Sequence, residues 1–222
     1  MVSGVSMRRA ALILRVNRKT IARKLVFLGI IAKSYLFELN LEQPKANIFE
    51  FDDLETIEHT KCKPLSVTLA VESRTRRILG FEVSRMPAKG HLAKISVKKY
   101  GFRKDERPLG RQKLFSNIKP LVKDDVEIRS DESPHYPKDV KTYFPNSRHI
   151  CFKGLRERNS GFGELKKGGY DPLFSINHTF AMLRANIHRL IRRTWCTTKK
   201  PERLENQIAI YAIFHNMMLG AG

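Results

Sequence analysis

The chain is 222 residues long and 41% hydrophobic, and it carries 42 Lys and Arg against 22 Asp and Glu, a formal net charge of +20. That length and apolar content can bury a real core in one or two domains. So large an excess of one sign predicts a polyanionic partner, because Lys and Arg displace the counterions condensed on phosphates. The three cysteines, Cys62, Cys151 and Cys196, lie far apart with no CxxC pair, which argues against a zinc site or a disulfide framework.

No apolar run approaches membrane-spanning length and no secretory leader pattern opens the chain. The expectation is a cytoplasmic, nucleoid-associated protein with no membrane partner and no small-molecule cofactor. A ribosomal protein would also be basic, but here acidic residues cluster at strand ends and not in tails.

The first segment, SMRRAALILRVNRKTIARKLVFLGIIAK, reads as two short helices. Ala10, Ala11, Leu12 and Leu14 form the first. Asn17 is a good N-cap for the second, expected over 18–28. Ile21, Leu25 and Leu28 recur at helical spacing and point inward, while Arg18, Lys19, Thr20, Arg23 and Lys24 point outward. A basic, hydroxyl-bearing outer face on the second helix is a helix-turn-helix pattern. An amphipathic hairpin with solvated charges fits the same residues; the global charge tips the reading to DNA. Residues 1–40 are therefore expected to be a helix-turn-helix DNA-binding unit.

Gln43-Pro44-Lys45 breaks the chain before a β-rich region. Strands are expected over 48–52 (IFEFD), 65–72 (LSVTLAVE) and 77–85 (RILGFEVSR), the last two as an antiparallel hairpin. Residues 88–121 read as one helix plus an exposed basic loop over 98–111. A fourth strand, 126–131 (VEIRSD), a short helix from Pro137, and a fifth strand, 148–153, follow. A Gly- and Lys-rich loop over 154–169 leads to one long helix over 175–195, with Ile176, Phe180, Leu183, Ile187, Leu190 and Ile191 on one face, and a last apolar helix over 205–218. The order β-β-β-α-β-α-β-α predicts an α/β fold, a mixed sheet flanked by helices of ribonuclease-H-like type. Residues 45–200 would form this domain, with the C-terminal helix of 201–222 packed on it.

Phosphodiester transfer needs the charge between nucleophile and leaving oxygen to be neutralised. Two magnesium ions held by a few carboxylates can do this. Asp52 and Asp131 each follow an apolar strand, and the first and fourth strands would be parallel neighbours, which brings the two side chains together in a crevice at strand carboxyl ends. Either aspartate alone reads more simply as a turn former; as a pair in this order they read as a metal site.

The segments FDDLETIEHTKCKPLSVTLAVE, SDESPHYP and DPLFSINHTFAMLRANIHRLIRRTWCTTK resemble insertion-sequence DDE transposases of the short type with an IS-one-like core, and the resemblance covers most of the chain from the helix-turn-helix onward. It implies Mg²⁺- or Mn²⁺-dependent hydrolysis at transposon ends and strand transfer into target DNA by the freed 3′-hydroxyl. It also implies double-stranded DNA as partner and at least a dimer on that DNA. Asp52 would be the first catalytic carboxylate and Asp131 the second. Related elements carry a third, a Glu near the start of the last core helix before a basic LR motif. Here Asn177 stands at that position; it offers a carbonyl oxygen to a hard cation but no charge, and the adjacent His178 is a poorer magnesium ligand. Glu164 is the alternative, although it also reads as a solvated loop charge. Without a third ligand the chain would be an inactive relic or a helix-turn-helix regulator. No N-terminal zinc-binding segment is present, so a truncated or frameshifted product is expected.

Further basic residues are candidates for the DNA backbone. Lys166, Lys167, Lys98 and Lys99 sit in expected loops, which present groups free of packing constraints. Arg184 and Arg192 lie on the last core helix, where a solvated face is an equal reading. His59 and His135 follow the two key strands, and Trp195 reads as an anchor for the C-terminal helices.

Overall fold

The computed structural model describes residues 2–153, 171–191 and 197–220. Five strands, β1 (Ala46–Glu58), β2 (Thr60–Glu72), β3 (Ile78–Arg85), β4 (Val122–Asp131) and β5 (Arg148–Phe152), form one sheet in the order β3-β2-β1-β4-β5. β1, β2 and β3 are an antiparallel meander, whereas β4 and β5 run parallel to β1. Helices cover both faces, so the molecule has the mixed, ribonuclease-H-like α/β architecture that the element order predicts.

Strand alternation sorts the two cores. Phe49, Phe51, Val126 and Ile128 face α4 (Arg107–Ile118) and α5 (Tyr136–Tyr143), meeting Leu114, Phe115, Ile118, Val140 and Phe144. On the other face Leu54, Leu65, Val67 and Leu69 meet Ile176, Phe180 and Leu183 of α6 (Phe174–Asn186) and Leu204, Ile208 and Tyr211 of α7 (Pro201–Gly220). Successive side chains enter opposite cores, so β2, covered on both faces, is buried along most of its length, while burial alternates along β4.

Several elements differ from their sequence reading. β1 runs through Asp52 to Glu58, because Asp53, Leu54 and Glu55 continue to pair with Thr68, Val67 and Ser66 of β2. Asp52 is therefore midway along its strand, while Asp131 is the last residue of β4. The region over 88–121 holds two helices, α3 (Leu92–Tyr100) and α4. Arg111, expected in an exposed loop, is buried on α4. The long helix expected over 175–195 ends at Asn186: Ile187 has φ −116° and ψ 93°, and a 3-10 turn over His188–Ile191 follows. Residues 192–196 lie outside the described residues.

At the N-terminus, α1 (Met7–Ile13) is capped by Ser6 and α2 (Arg18–Leu41) by Asn17, whose side chain accepts the Lys19 N–H. α2 runs well past Leu28. Gly29 does not end it; this residue is where α7 crosses so closely that an added Cβ would lie 2.3 Å from Asn206 Cβ. The buried positions are Ile21, Leu25, Gly29, Ala32, Leu36 and Asn40, and Leu28, expected inward, is half exposed. No helix among the described residues is long and apolar enough to cross a membrane.

Candidate active site

The sheet brings Asp52 and Asp131 to one place. Glu50 of β1 pairs with Arg129 of β4 in the parallel ladder, and each aspartate stands two residues further along its strand. Two residues is one pleat repeat, so both side chains leave the same face, the face covered by α6. This is also where β4 stops, while β1 goes on pairing with β2.

Asp52 Oδ1 accepts the backbone N–H of Asp53 at 2.7 Å and the Tyr136 hydroxyl at 3.4 Å. Asp131 Oδ1 accepts the Ser133 N–H at 3.0 Å, an Asx turn that shapes the exit from β4. Oδ2 of both carboxylates has no hydrogen-bond partner among the described residues, and neither aspartate has an ion-pair partner there. Burial pushes the Asp52 carboxyl up to about 7, with the negative charges of Asp131 and Asp53 adding to the effect and the Asp53 N–H opposing it. Two neighbouring carboxylates with no cationic partner among the described residues, in a chain with a net charge of +20, are a donor set that fits a divalent metal: hard oxygens with open positions. The set is a pair. Among the described residues no group of three or more His, Cys, Asp or Glu side chains is gathered closely enough to hold a metal.

Asn177 lies on the exposed side of α6, where its amide nitrogen donates to Asp171 Oδ2 at 2.9 Å. The neighbouring Ile176 N–H donates to Glu50 Oε2, which ties the first turn of α6 to β1 two residues before Asp52. His178 meets Arg76 at 3.1 Å, and burial together with that guanidinium lowers its pKa. His59 (φ 61°) and His135 are exposed and hold backbone positions, at the β1–β2 turn and before α5. Arg18, Lys19, Thr20, Arg23 and Lys24 are all exposed on the first turns of α2, and Arg184 is exposed on α6. Lys98 and Lys99 sit in the last turn of α3, not in a loop. Glu164, Lys166, Lys167, Arg192 and Trp195 lie outside the described residues.

Three supporting residues escaped the sequence reading. Tyr136, buried at the start of α5, packs at a tilt against Phe51 (4.7 Å between centroids) and so reaches Asp52. Burial pushes its pKa up, which keeps the hydroxyl a donor. Arg111 lies over the Tyr136 ring at 5.4 Å, donates to Asp139 at 2.6 Å and approaches Asp53 at 3.7 Å. Asp53 in turn accepts the hydroxyls of Ser66 and Thr68 on β2. Glu50, 2% exposed, accepts Ser73 Oγ and the first-turn N–H of Ile176, so its charge sits at the positive end of α6. A signal existed for one of them: an acid within an otherwise apolar strand (IFEF) needs a partner to be buried.

No protein-family model and no curated protein matches the chain. Among solved structures, the catalytic domain of Mos1 mariner transposase is similar over 90% of this chain and 93% of that one, at 12% identity and a TM-score of 0.36. A likeness that distant does not bear on activity.

Proposed function

We propose that this protein is a DNA transposase in which Asp52 and Asp131 hold Mg²⁺ or Mn²⁺ and direct the cutting and joining of DNA at the ends of an insertion sequence. One observation carries the reading: two carboxylates on adjacent parallel strands share a face and lack any cationic partner among the described residues. When bound, divalent cations supply neutralisation of the charge that builds on the phosphate during in-line displacement. The chain's own groups hold the two carboxylates in place. Tyr136 and the Asp53 N–H fix one oxygen of Asp52, the Ser133 N–H fixes one oxygen of Asp131, and the other oxygen of each is left free. The proposed third donor is Asn177. The bond from its amide nitrogen to Asp171 leaves the carbonyl Oδ1 available.

The exposed Arg18, Lys19, Thr20, Arg23 and Lys24 are proposed to read the transposon end, with two copies of the chain pairing two ends. The test is an assay on duplex DNA carrying the element's ends. Mg²⁺-dependent cleavage with joined product, lost in Asp52→Ala and in Asp131→Ala, supports the proposal. Metal-independent binding without cutting indicates a regulator or inactive relic, and cutting without joined product indicates a nuclease of the same fold.

A further inference from the structure

Beyond the carboxylate pair, the tip of the β1–β2 hairpin carries a second surface with its own chemistry. Phe102 is the most exposed large hydrophobic side chain among the described residues, at 86%. It follows Gly101, whose φ of +77° is a conformation that L side chains rarely adopt, so the chain turns sharply outward there. The loop is anchored on both sides of that turn. Ser96 Oγ of α3 donates to the Cys62 carbonyl at 2.7 Å, and Arg103 donates to Glu58 Oε2 at 2.9 Å and to the Pro64 carbonyl. The Glu106 N–H donates to the Arg85 carbonyl at 2.9 Å. Phe102 is thus held in water on a tethered backbone, at a cost in apolar exposure that no packing among the described residues offsets.

Its surroundings are cationic. From Met86 to Lys104 the sequence contains no acidic residue. Lys89 and Arg103 pair with Glu55 and Glu58, whereas Lys94, Lys98, Lys99 and Lys104 are exposed without an ion-pair partner among the described residues. Lys63 and Lys99 lie over the ring of Tyr100, at 4.6 and 5.6 Å, and set a second, 41% exposed aromatic beside Phe102. Unpaired cations interleaved with exposed rings match one kind of polymer, a phosphate backbone whose bases are free to stack. The distance fits as well. From Asp52 to Glu58 the strand covers roughly 20 Å, at about 3.3 Å per residue, which about six nucleotides at 3.4 Å would span.

We infer that the α3–α4 loop is a nucleic-acid contact in its own right, where Phe102 stacks on an unpaired base of DNA while Lys94, Lys98, Lys99 and Lys104 neutralise the flanking phosphates. Binding there needs no metal, so it stands or falls separately from cutting by the carboxylate pair.

The test uses the full chain in EDTA and fluorescence anisotropy with three labelled probes: a single strand, its perfect duplex, and the same duplex with one unpaired base. Phe102→Ala is expected to weaken binding to the single strand and to the unpaired-base duplex about tenfold, and to the perfect duplex less than about twofold. Phe102→Trp is expected to keep the affinity, and the emission it adds to that of the wild type should be quenched by the single strand. Lys98→Glu with Lys99→Glu should weaken all three probes and flatten the salt dependence. Unchanged single-strand affinity in Phe102→Ala, an equal loss on all three probes, or no binding of any probe by the wild type would each overturn the inference. Because Phe102 is so exposed, its replacement leaves the fold intact, which circular dichroism checks.

Discussion

The Tyr136 hydroxyl donates to Asp52 Oδ1 at 3.4 Å, joining the first turn of α5 to the middle of β1. The bond is long and the ring is held by Phe51 and Arg111, so Tyr136 positions the carboxylate without neutralising it. Tyr136→Phe should keep the fold and remove only this contact. If the carboxylate pair acts as proposed, the DNA-joining rate should fall several-fold, a loss of about 1 kcal/mol for one hydrogen bond. The same bond lowers the Asp52 pKa, so the acid limb of the rate profile should move to higher pH in the variant. A rate and pH profile identical to wild type would show that the contact plays no part.

Asp52 itself links stability to pH. Its carboxyl is raised from 3.8 to about 7 in the fold, chiefly by burial. A carboxyl raised in this way favours the folded state below its unfolded pKa, and that contribution is lost as pH rises through the folded value. In EDTA, wild-type stability should therefore fall between about pH 4 and pH 7 by on the order of 2–4 kcal/mol, at about 1.4 kcal/mol per pH unit. Asp52→Asn should remove that component, and adding Mg²⁺ or Mn²⁺ at pH 8 should raise the Tm of wild type but not of the variant. Parallel stability curves for the two proteins would refute this.

Arg111 is 3% exposed and serves Asp139, Asp53 and the face of Tyr136 at once. Arg111→Met keeps much of its volume but strands two carboxylates. Breaking a fully buried pair costs about 3–5 kcal/mol. Asp139 is partly exposed, so a loss of about 2–3 kcal/mol is expected in urea unfolding. Asp53→Asn combined with Arg111→Met should recover part of that loss, since one stranded charge is gone. A double variant no more stable than Arg111→Met would rule out the ion pair as the cause.

Gly29→Ala would ordinarily steady a helix by about 1 kcal/mol. Here the new methyl would lie 2.3 Å from Asn206 Cβ and 2.7 Å from its Cα, so α2 and α7 must separate. The expected outcome is a net destabilisation of about 1–3 kcal/mol, as for other overpacked contacts, read as a lower Tm. A Tm above wild type would mean that the two helices do not pack in this way in solution.

The sheet was legible because its signals are local. Alternating apolar residues mark β2 and β3, the order of elements implies a parallel β1–β4 pair, and Asn17 announces α2. Asp52 and Asp131 stood out for the same reason, as acids following apolar runs. Where the reading stopped short, the deciding partner lies on another element. β1 extends past Asp52 because β2 keeps pairing with it, and α2 continues through Gly29 because α7 covers that glycine.

The sequence by itself determined the α/β order, the strong positive charge and the two carboxylates as candidates, since periodicity and composition need no knowledge of distant neighbours. Only the tertiary structure decided that Asp52 sits mid-strand beside the end of β4, that Tyr136 touches it, that Arg111 is buried, and that Phe102 is held out in water among lysines. Those outcomes rest on burial and on hydrogen bonds between segments that meet only when the sheet closes, and no local pattern encodes them.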